Sequence, residues 1–399
     1  MMIKSKLLDE MKPKIEQTVK LIKNAIENKE PIIIRHDADT DGYSAAIALE
    51  RAIMPLLYTR HTKERDLFYY YSRMPCKTPW YDIQDALRDV TNFMSGASRF
   101  TRKKPLIIVC DNGASAQDYI AIKLVKTYGA KVLVIDHHPN AKEIDEIVDL
   151  HLNPHHFKST YDFCTGMLCA EIANLLTIDR KIIAKDFEVI AAVAATGDKV
   201  KSEEAQQYLK IANEKGYDSK KLRDISKCID FAAFKLGVIN DKDIVDDILG
   251  ADKEKQKALL DLFTKEVNKK MHTVFESALK YTETEETDNK TIVKVPIDKL
   301  SKRNGYPARG RVTGVMQEYY KEKGKKAITL GITKTSTNFR CSNEIESFDV
   351  NEIIKKIKEK FPYANVSGGG HRVAGSISFI EAAYDEVIEF ILDYCKKAK

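Results

Sequence analysis

Val132-Leu133-Val134-Ile135-Asp136-His137-His138-Pro139 decides the fold of this chain. An apolar run, mostly β-branched, goes straight into an acid and two histidines. A short run of this kind, without alternation, reads as a strand buried on both faces of a parallel sheet. Two earlier stretches repeat the arrangement. Ile32-Ile33-Ile34 leads to Asp37-Ala38-Asp39-Thr40-Asp41-Gly42, and Leu106-Ile107-Ile108-Val109 leads to Asp111-Asn112-Gly113. In a parallel sheet the carboxyl ends of neighbouring strands open on one crevice, and ligands bind there. Five Asp and two His therefore converge on one small volume. So many carboxylates cannot all stay ionised side by side without cations. Asp oxygens with His nitrogens suit manganese, magnesium, iron or zinc, and paired sites of this type drive displacement at phosphorus. Taken singly, each motif also reads as a helix cap or a turn. Capping needs neither alternate acids at 37, 39 and 41 nor adjacent histidines at 137 and 138.

Outward from these motifs the chain repeats a βα unit, which implies a doubly wound parallel sheet. A helix over residues 5–28 carries an apolar stripe of Leu8, Met11, Ile15, Val19, Ile22 and Ile26. Further helices are expected at 43–57, 116–128, 166–177 and 186–196, and a further strand over Ile147–Leu152. The stretch 58–104 breaks the pattern. It holds Phe68-Tyr69-Tyr70-Tyr71, Arg73, Lys77 and Trp80, then Arg99, Arg102, Lys103 and Lys104. Aromatics with basic neighbours are what a single-strand groove uses. An amphipathic edge strand over Phe68–Tyr71, followed by a solvated basic loop, is the preferred account of most of them, with Arg73 the exception.

At 399 residues the chain is too long for one core, so at least two domains are expected. The reading is an α/β doubly wound catalytic domain over 1–204, a helical connector over 205–290, and a smaller mixed α/β domain over 291–399. In the last, strands are expected at Ile292–Val295, Ala327–Ile332 and Phe339–Ser342, and helices at 308–321, 350–360 and 381–396. The net charge of +6 is mild and fits a phosphate-bearing substrate as well as plain solubility. Seven cysteines without a CxxC pair point to a reducing cytosol and no disulfide framework. No apolar run reaches membrane-spanning length, so a cytoplasmic protein with no membrane association is expected.

These motifs carry a resemblance. Asp136-His137-His138 is similar to the signature of the DHH phosphoesterase superfamily. The stretch Asp37 to Gly42 resembles its first motif as seen in RecJ-type single-strand exonucleases, Asp111-Asn112-Gly113 the second, and Gly197-Asp198 the fourth. Gly368-Gly369-Gly370-His371-Arg372-Val373-Ala374-Gly375 resembles the glycine-rich signature of the DHHA1 domain, and Phe339-Arg340-Cys341-Ser342 resembles its arginine-presenting strand.

The resemblance implies a two-metal phosphodiesterase, with manganese expected and magnesium as the alternative. Asp37, Asp39, Asp41, Asp111, His137 and Asp198 would be the metal ligands, with Asp111 bridging. Asp136 would orient a histidine, and His138 would meet the scissile phosphate. Arg340, Gly368, Gly369, Gly370 and His371 would hold substrate phosphates. Arg73 joins them because the family often has an Arg after a similar Tyr-rich strand. Some branches, such as the family II pyrophosphatases, have a ligating His where this chain has Arg35, and arginine stays protonated. His36 is one residue off, which on a strand reverses its side. The implied substrate is single-stranded DNA or RNA, hydrolysed to mononucleotides. Short oligonucleotides or cyclic dinucleotides are the alternative substrates, and a non-enzymatic replisome scaffold the third reading. Replisome or repair proteins and a second copy of this chain stay open as partners.

Overall fold

Ile32–His36 (β1), Tyr71–Pro75 (β2), Leu106–Cys110 (β3), Lys131–Ile135 (β4) and Leu150–Leu152 (β5) form one sheet in the order β2-β1-β3-β4-β5. Every pair in it is parallel. The computed structural model describes residues 1–60, 66–97, 99–159, 162–178, 186–237, 244–287, 289–300 and 305–399. β1, β3 and β4 share one register: His36 lies opposite Cys110, and Cys110 opposite Ile135. Asp37, Asp111 and Asp136 are the next residue on each strand, so the motifs start level.

The unbroken apolar runs are explained by burial on both faces. Ile32, Ile34, Ile108, Leu133 and Ile135 pack with helix α1 (Lys6–Glu27), helix α2 (Thr40–Tyr58) and the helices Thr165–Thr177 and Phe187–Gly197. Ile33, Ile107, Val109, Val132 and Val134 pack with Ala86 and Val90 of helix Ile83–Ala97 and with Ala121, Ile122 and Val125 of helix Tyr119–Thr127. The expected stripe of α1, from Leu8 to Ile26, is buried. All seven cysteines are buried and free. No helix among the described residues is long and apolar enough to cross a membrane.

Two expectations shift. Leu67–Tyr70 is one helical turn rather than strand, and the edge strand begins at Tyr71. The hydroxyls of Tyr69 and Tyr70 donate to carbonyl oxygens of Phe93, Thr101 and Phe100, which draws these rings off any pleated surface. Ile147 ends a short helix, Lys142–Ile147, and leaves only Leu150–Leu152 as strand.

The chain divides into two compact units, Met1–Thr264 and Lys265–Lys399. The stretch 205–290, read from sequence as a connector, is split between them. Ala205, Tyr208, Leu222, Ile225, Ile229 and Val245 pack into the first core, so the helices Glu203–Glu214 and Ser219–Leu236 belong to the first unit. The boundary falls inside helix Lys253–Tyr281.

In the second unit, Glu283–Glu286 (β6), Thr291–Pro296 (β7), Ala327–Thr333 (β8), Ser336–Cys341 (β9), Ser367–His371 (β10) and Ala374–Ser378 (β11) form a mixed sheet in the order β10-β11-β9-β8-β7-β6. Only β7 and β8 run parallel. Helices Arg309–Glu322, Val350–Lys360 and Tyr384–Lys397 lie within a few residues of their expected positions. The glycine run, which reads in isolation as a turn, is an edge strand. Gly368 and Gly370 adopt φ of 150° and 142°. A Cβ on them would meet Ser376 O at 2.2 Å and Ala374 O at 2.4 Å. Only glycine lets β10 approach β11 this closely.

Arg35 explains the first departure from the wider superfamily pattern. It is 1% exposed. Its Nε donates to both Asp89 oxygens at 3.1 and 3.0 Å, and its Nη1 reaches Asp85 Oδ1 at 3.4 Å. Tyr81 Oη adds a bond to Asp89 Oδ2 at 2.9 Å. Removing one member of a buried ion pair strands the others. Arg35→Met should therefore lower unfolding free energy by about 3–5 kcal/mol, read by urea denaturation.

Candidate metal centre

The acids of the first motif are held by backbone amides before any ligand arrives. Asp39 is the N-cap of α2 and accepts from Gly42 N at 2.9 Å. Asp37 Oδ1 accepts from Ala38 N at 2.7 Å. Asp41 is buried, and its two oxygens accept from Thr165 N and Gly166 N, each at 2.8 Å. Those amides are the N-terminus of helix Thr165–Thr177, whose dipole favours a negative charge there. Gly166 is required for the approach, since a Cβ would lie 2.5 Å from Ala194 Cβ and 2.9 Å from Asp41 Oδ1. The small-residue turn Cys164-Thr165-Gly166 is thus part of the site.

Asp111 follows β3 with a left-handed φ of 59°, a conformation Asp tolerates better than most residues. Its Oδ1 accepts from Thr165 Oγ1 at 3.2 Å. His137 Nε2 faces three acids: Asp198 Oδ2 at 3.2 Å, Asp111 Oδ1 at 3.4 Å and Asp41 Oδ2 at 3.8 Å. Asp136 does structural work. Its Oδ1 accepts from His137 N at 2.7 Å and pairs with His138 Nδ1 at 2.8 Å, while Oδ2 accepts from Ala114 N at 3.2 Å. His138 keeps 33% of its side chain exposed.

Several sets of potential ligand atoms each gather within 4.8 Å, and three of them meet here: Asp41, His137 and Asp198; Asp37, Asp39 and Asp111; and Asp111, Asp136 and His138, whose Asp136 and His138 are already paired with each other. The first two together comprise the six residues expected as metal ligands. The electrostatics match that chemistry. Burial, then the neighbouring Asp198, pushes Asp41 up to about 6. Burial and Asp39 push Asp198 up to about 7. Asp37 and Asp111 are raised well above the carboxylate range by burial and by Asp39 and Asp41 respectively. Burial and His138 lower His137 to about 4, so its imidazole is neutral, as a metal ligand must be. Burial opposes charge on His138, but Asp136, Asp198 and Asp37 outweigh it and hold the ring's pKa up at about 10. His138 in turn holds Asp136 well below the usual range despite its burial. A set of buried carboxylates that repel one another around a neutral imidazole fits hard divalent cations.

Residues 31–197 match the DHH family, N-terminal domain. A solved structure described as the DHH domain of a member of a family of ribosomal proteins is 34% identical, with a TM-score of 0.94 over all of this chain and 94% of that one. This chain belongs to the DHH family. An uncharacterized protein of Methanocaldococcus jannaschii is 34% identical over all of the chain, which spans 56% of that protein's length. RecJ of Thermus thermophilus, solved with Mn2+, is 13% identical with a TM-score of 0.66, covering 99% of this chain and 55% of RecJ. The DHH fold here is therefore RecJ-like.

Other residues singled out by sequence fall differently. Arg73 is 2% exposed, pairs through Nε with Glu50 and lies 5.9 Å from the Tyr43 ring centroid. Its guanidinium is committed to the interior, which corrects its expected role as a substrate contact. His36 is buried, with Nδ1 2.7 Å from Asp37 O. Asn153 donates to His138 O at 2.9 Å and braces the histidine pair. In the second unit, Arg340 on β9 and His371 on β10 both lie opposite Ala374 of β11, so they project from one face of that sheet. Arg340 is half-buried beside Gly310 and Gly314, with Arg311 as a like-charged neighbour.

Asp230 is a residue the sequence reading missed. Its Oδ1 accepts from Thr40 N at 3.0 Å and Thr40 Oγ1 at 2.6 Å, and Thr40 Oγ1 lies 3.0 Å from Ser226 O. The helix Ser219–Leu236 thereby fixes the loop between Asp39 and Asp41. Nothing in the local sequence around Asp230 marks it, because its partner is 190 residues away.

From pH 7.5 to 9, above the ordinary histidine range, the metal-free protein should lose stability. In this window Asp198, raised to about 7, and His138, raised to about 10, hold more protons folded than unfolded. Stability falls with pH wherever the native state binds the extra protons. Thermal melts across the window should show the decline, and manganese, replacing those protons, should flatten it. A metal-free melting point that rises with pH refutes the charge assignment.

Proposed function

We propose that this chain is a metal-dependent phosphodiesterase, an exonuclease that removes mononucleotides from single-stranded DNA or RNA. DHH proteins generally hydrolyse phosphoesters, and one observation supports a phosphodiester here. Two three-residue ligand sets adjoin at Asp111, which belongs to one set and has its Oδ1 3.4 Å from His137 Nε2 of the other. A carboxylate in that position can bridge two ions. When bound, such a pair screens the phosphodiester charge and supplies hydroxide near neutral pH. Manganese is the metal we favour, as in the RecJ of like fold, with magnesium as the alternative.

The remaining work falls to the chain's own groups. Asp41 and Asp39, anchored on amides, keep their positions whether or not ligands are present. Asp136 takes up Nδ1 of His138, and we assign the Nε2 edge of that ring to the substrate. His138 stays protonated at neutral pH, so it can donate to a phosphate oxygen as negative charge grows there. Arg340, His371 and the Gly368–Gly370 strand are assigned to phosphates further along the substrate. A scaffold without chemistry has no use for so many buried, mutually repelling acids, and we rank that reading last.

Asp111→Asn should abolish manganese-dependent hydrolysis of an end-labelled oligonucleotide of about 20 residues while leaving the metal-free fold close to wild type in stability, since asparagine tolerates the left-handed backbone and removes the repelling charge. Near wild-type turnover in this variant overturns the two-metal site. Labelling each end in turn, in DNA and in RNA, also gives polarity and sugar preference.

His138→Ala should cut turnover by about 10²–10⁴-fold and leave manganese affinity, measured calorimetrically, close to wild type. His137→Ala should show the opposite balance, losing metal first. Affinity lost at His138 and retained at His137 reverses the two roles.

A further inference from the structure

The exposed aromatics of the first unit gather on the edge of the sheet opposite the metal centre. Among its described residues, the aromatic side chains that stand exposed are Tyr58 at 50%, Phe68 at 64% and Tyr128 at 41%. Tyr58 ends α2, which runs back from the carboxyl edge of the sheet. Phe68 lies in the turn before β2, and Tyr128 closes the helix that precedes β4. All three therefore stand at the amino edge. Five strand residues at about 3.3 Å each put this edge roughly 16 Å from the carboxyl edge.

Cations accompany the rings. Arg99-Phe100-Thr101-Arg102-Lys103-Lys104 leads into β3 with four basic residues and no acid. All four basic side chains are exposed. Phe68 meets Phe100 edge-on at 5.5 Å, Tyr69 stacks on Phe100 at 4.7 Å, and the Arg99 guanidinium lies 5.2 Å over the same ring. Lys103 reaches the Asn28 carbonyl, and Lys104 sits 5.5 Å over Phe93. Arg102 stands outward. Among the described residues, most acids at this edge have basic partners: Glu27 and Arg60 are 3.9 Å apart, Glu30 pairs with Lys131 and Asp149 with Lys126, while Asp66 lies by Tyr70.

We propose that this amino edge is a second binding surface for single-stranded nucleic acid, separate from the metal centre. Exposed ring faces offer stacking that every base can use, and the neighbouring guanidinium and ammonium groups pair with phosphates. Bases in a duplex are already stacked, so the surface selects single strands. An acidic peptide would satisfy the cations but leave the rings unused. The inference rests on the proposed nuclease reading for its purpose: it retains the body of a long strand while an end is cut, and leaves a dinucleotide unaffected.

The test is fluorescence anisotropy of the full chain with a labelled single strand of about 30 nucleotides, in chelator so that no hydrolysis occurs. Phe68→Ser combined with Arg102→Glu and Arg99→Glu should weaken binding at least about 10-fold. The salt slope should become shallower by roughly 1.4, the share of two phosphate contacts on a single strand. Phe68→Tyr with Arg102→Lys should stay within about twofold of wild type, which a simple loss of fold would not allow. Unchanged affinity in the charge-reversed variant overturns the proposal, as does equal affinity for duplex, or competition by polyglutamate with none by polyuridine. Because no metal is needed, a chain that binds through this edge yet hydrolyses nothing refutes the nuclease reading and leaves the surface standing.

Discussion

Mutual repulsion among carboxylates is the constraint on which the rest of this structure depends. Equal register of β1, β3 and β4 places Asp37, Asp111 and Asp136 side by side. Asp39, Asp41 and Asp198 then crowd the same pocket. The fold opposes that repulsion with fixed dipoles and with one charged side chain, His138. Amides of Ala38, Gly42, Thr165, Gly166 and Ala114 each point at one of these acids. Burial of strands on both faces supplies the rigidity that keeps such amides aimed. The protein thus stores a concentrated negative site that is completed by cations.

The two histidines show how one short motif yields opposite protonation states. His137 is enclosed, with a cationic neighbour in His138, and is neutral. His138 has Asp136 against its Nδ1 and keeps its proton. The two ring centroids lie only 4.4 Å apart, so it is their different partners that keep one ring neutral and the other protonated. Asp136 sets this division: it bonds the backbone of both histidines but the ring of only one.

Much of this was legible in the sequence because the informative contacts are local or periodic. Apolar runs ending in acids, the stripe of α1 and the order of the motifs each sit within a few residues of one another. What was not legible depends on partners far away in the chain. Residues 205–248 have helical periodicity, but periodicity does not say which core the helices join; Asp230 shows that they also brace the site. Arg73 looked like a free cation until Glu50 claimed it. The glycine run reads as a turn in isolation, and becomes a strand only because Ser376 and Ala374 of β11 lie where side chains would otherwise be.

Arg35 has a consequence for how such proteins can diverge. The resemblance drawn from the sequence implies a ligating histidine at this place on β1 in some related proteins, whereas here Arg35 neutralises Asp85 and Asp89 from inside the core. Exchanging it for histidine alone would leave two buried acids facing a shorter ring. The acids could not be replaced first either, for Arg35 would then be a buried cation with no counter-charge. Passage between the two arrangements crosses a valley in which every single step is penalised. The identity of one strand residue is in this way tied to two acids on a helix some fifty positions later.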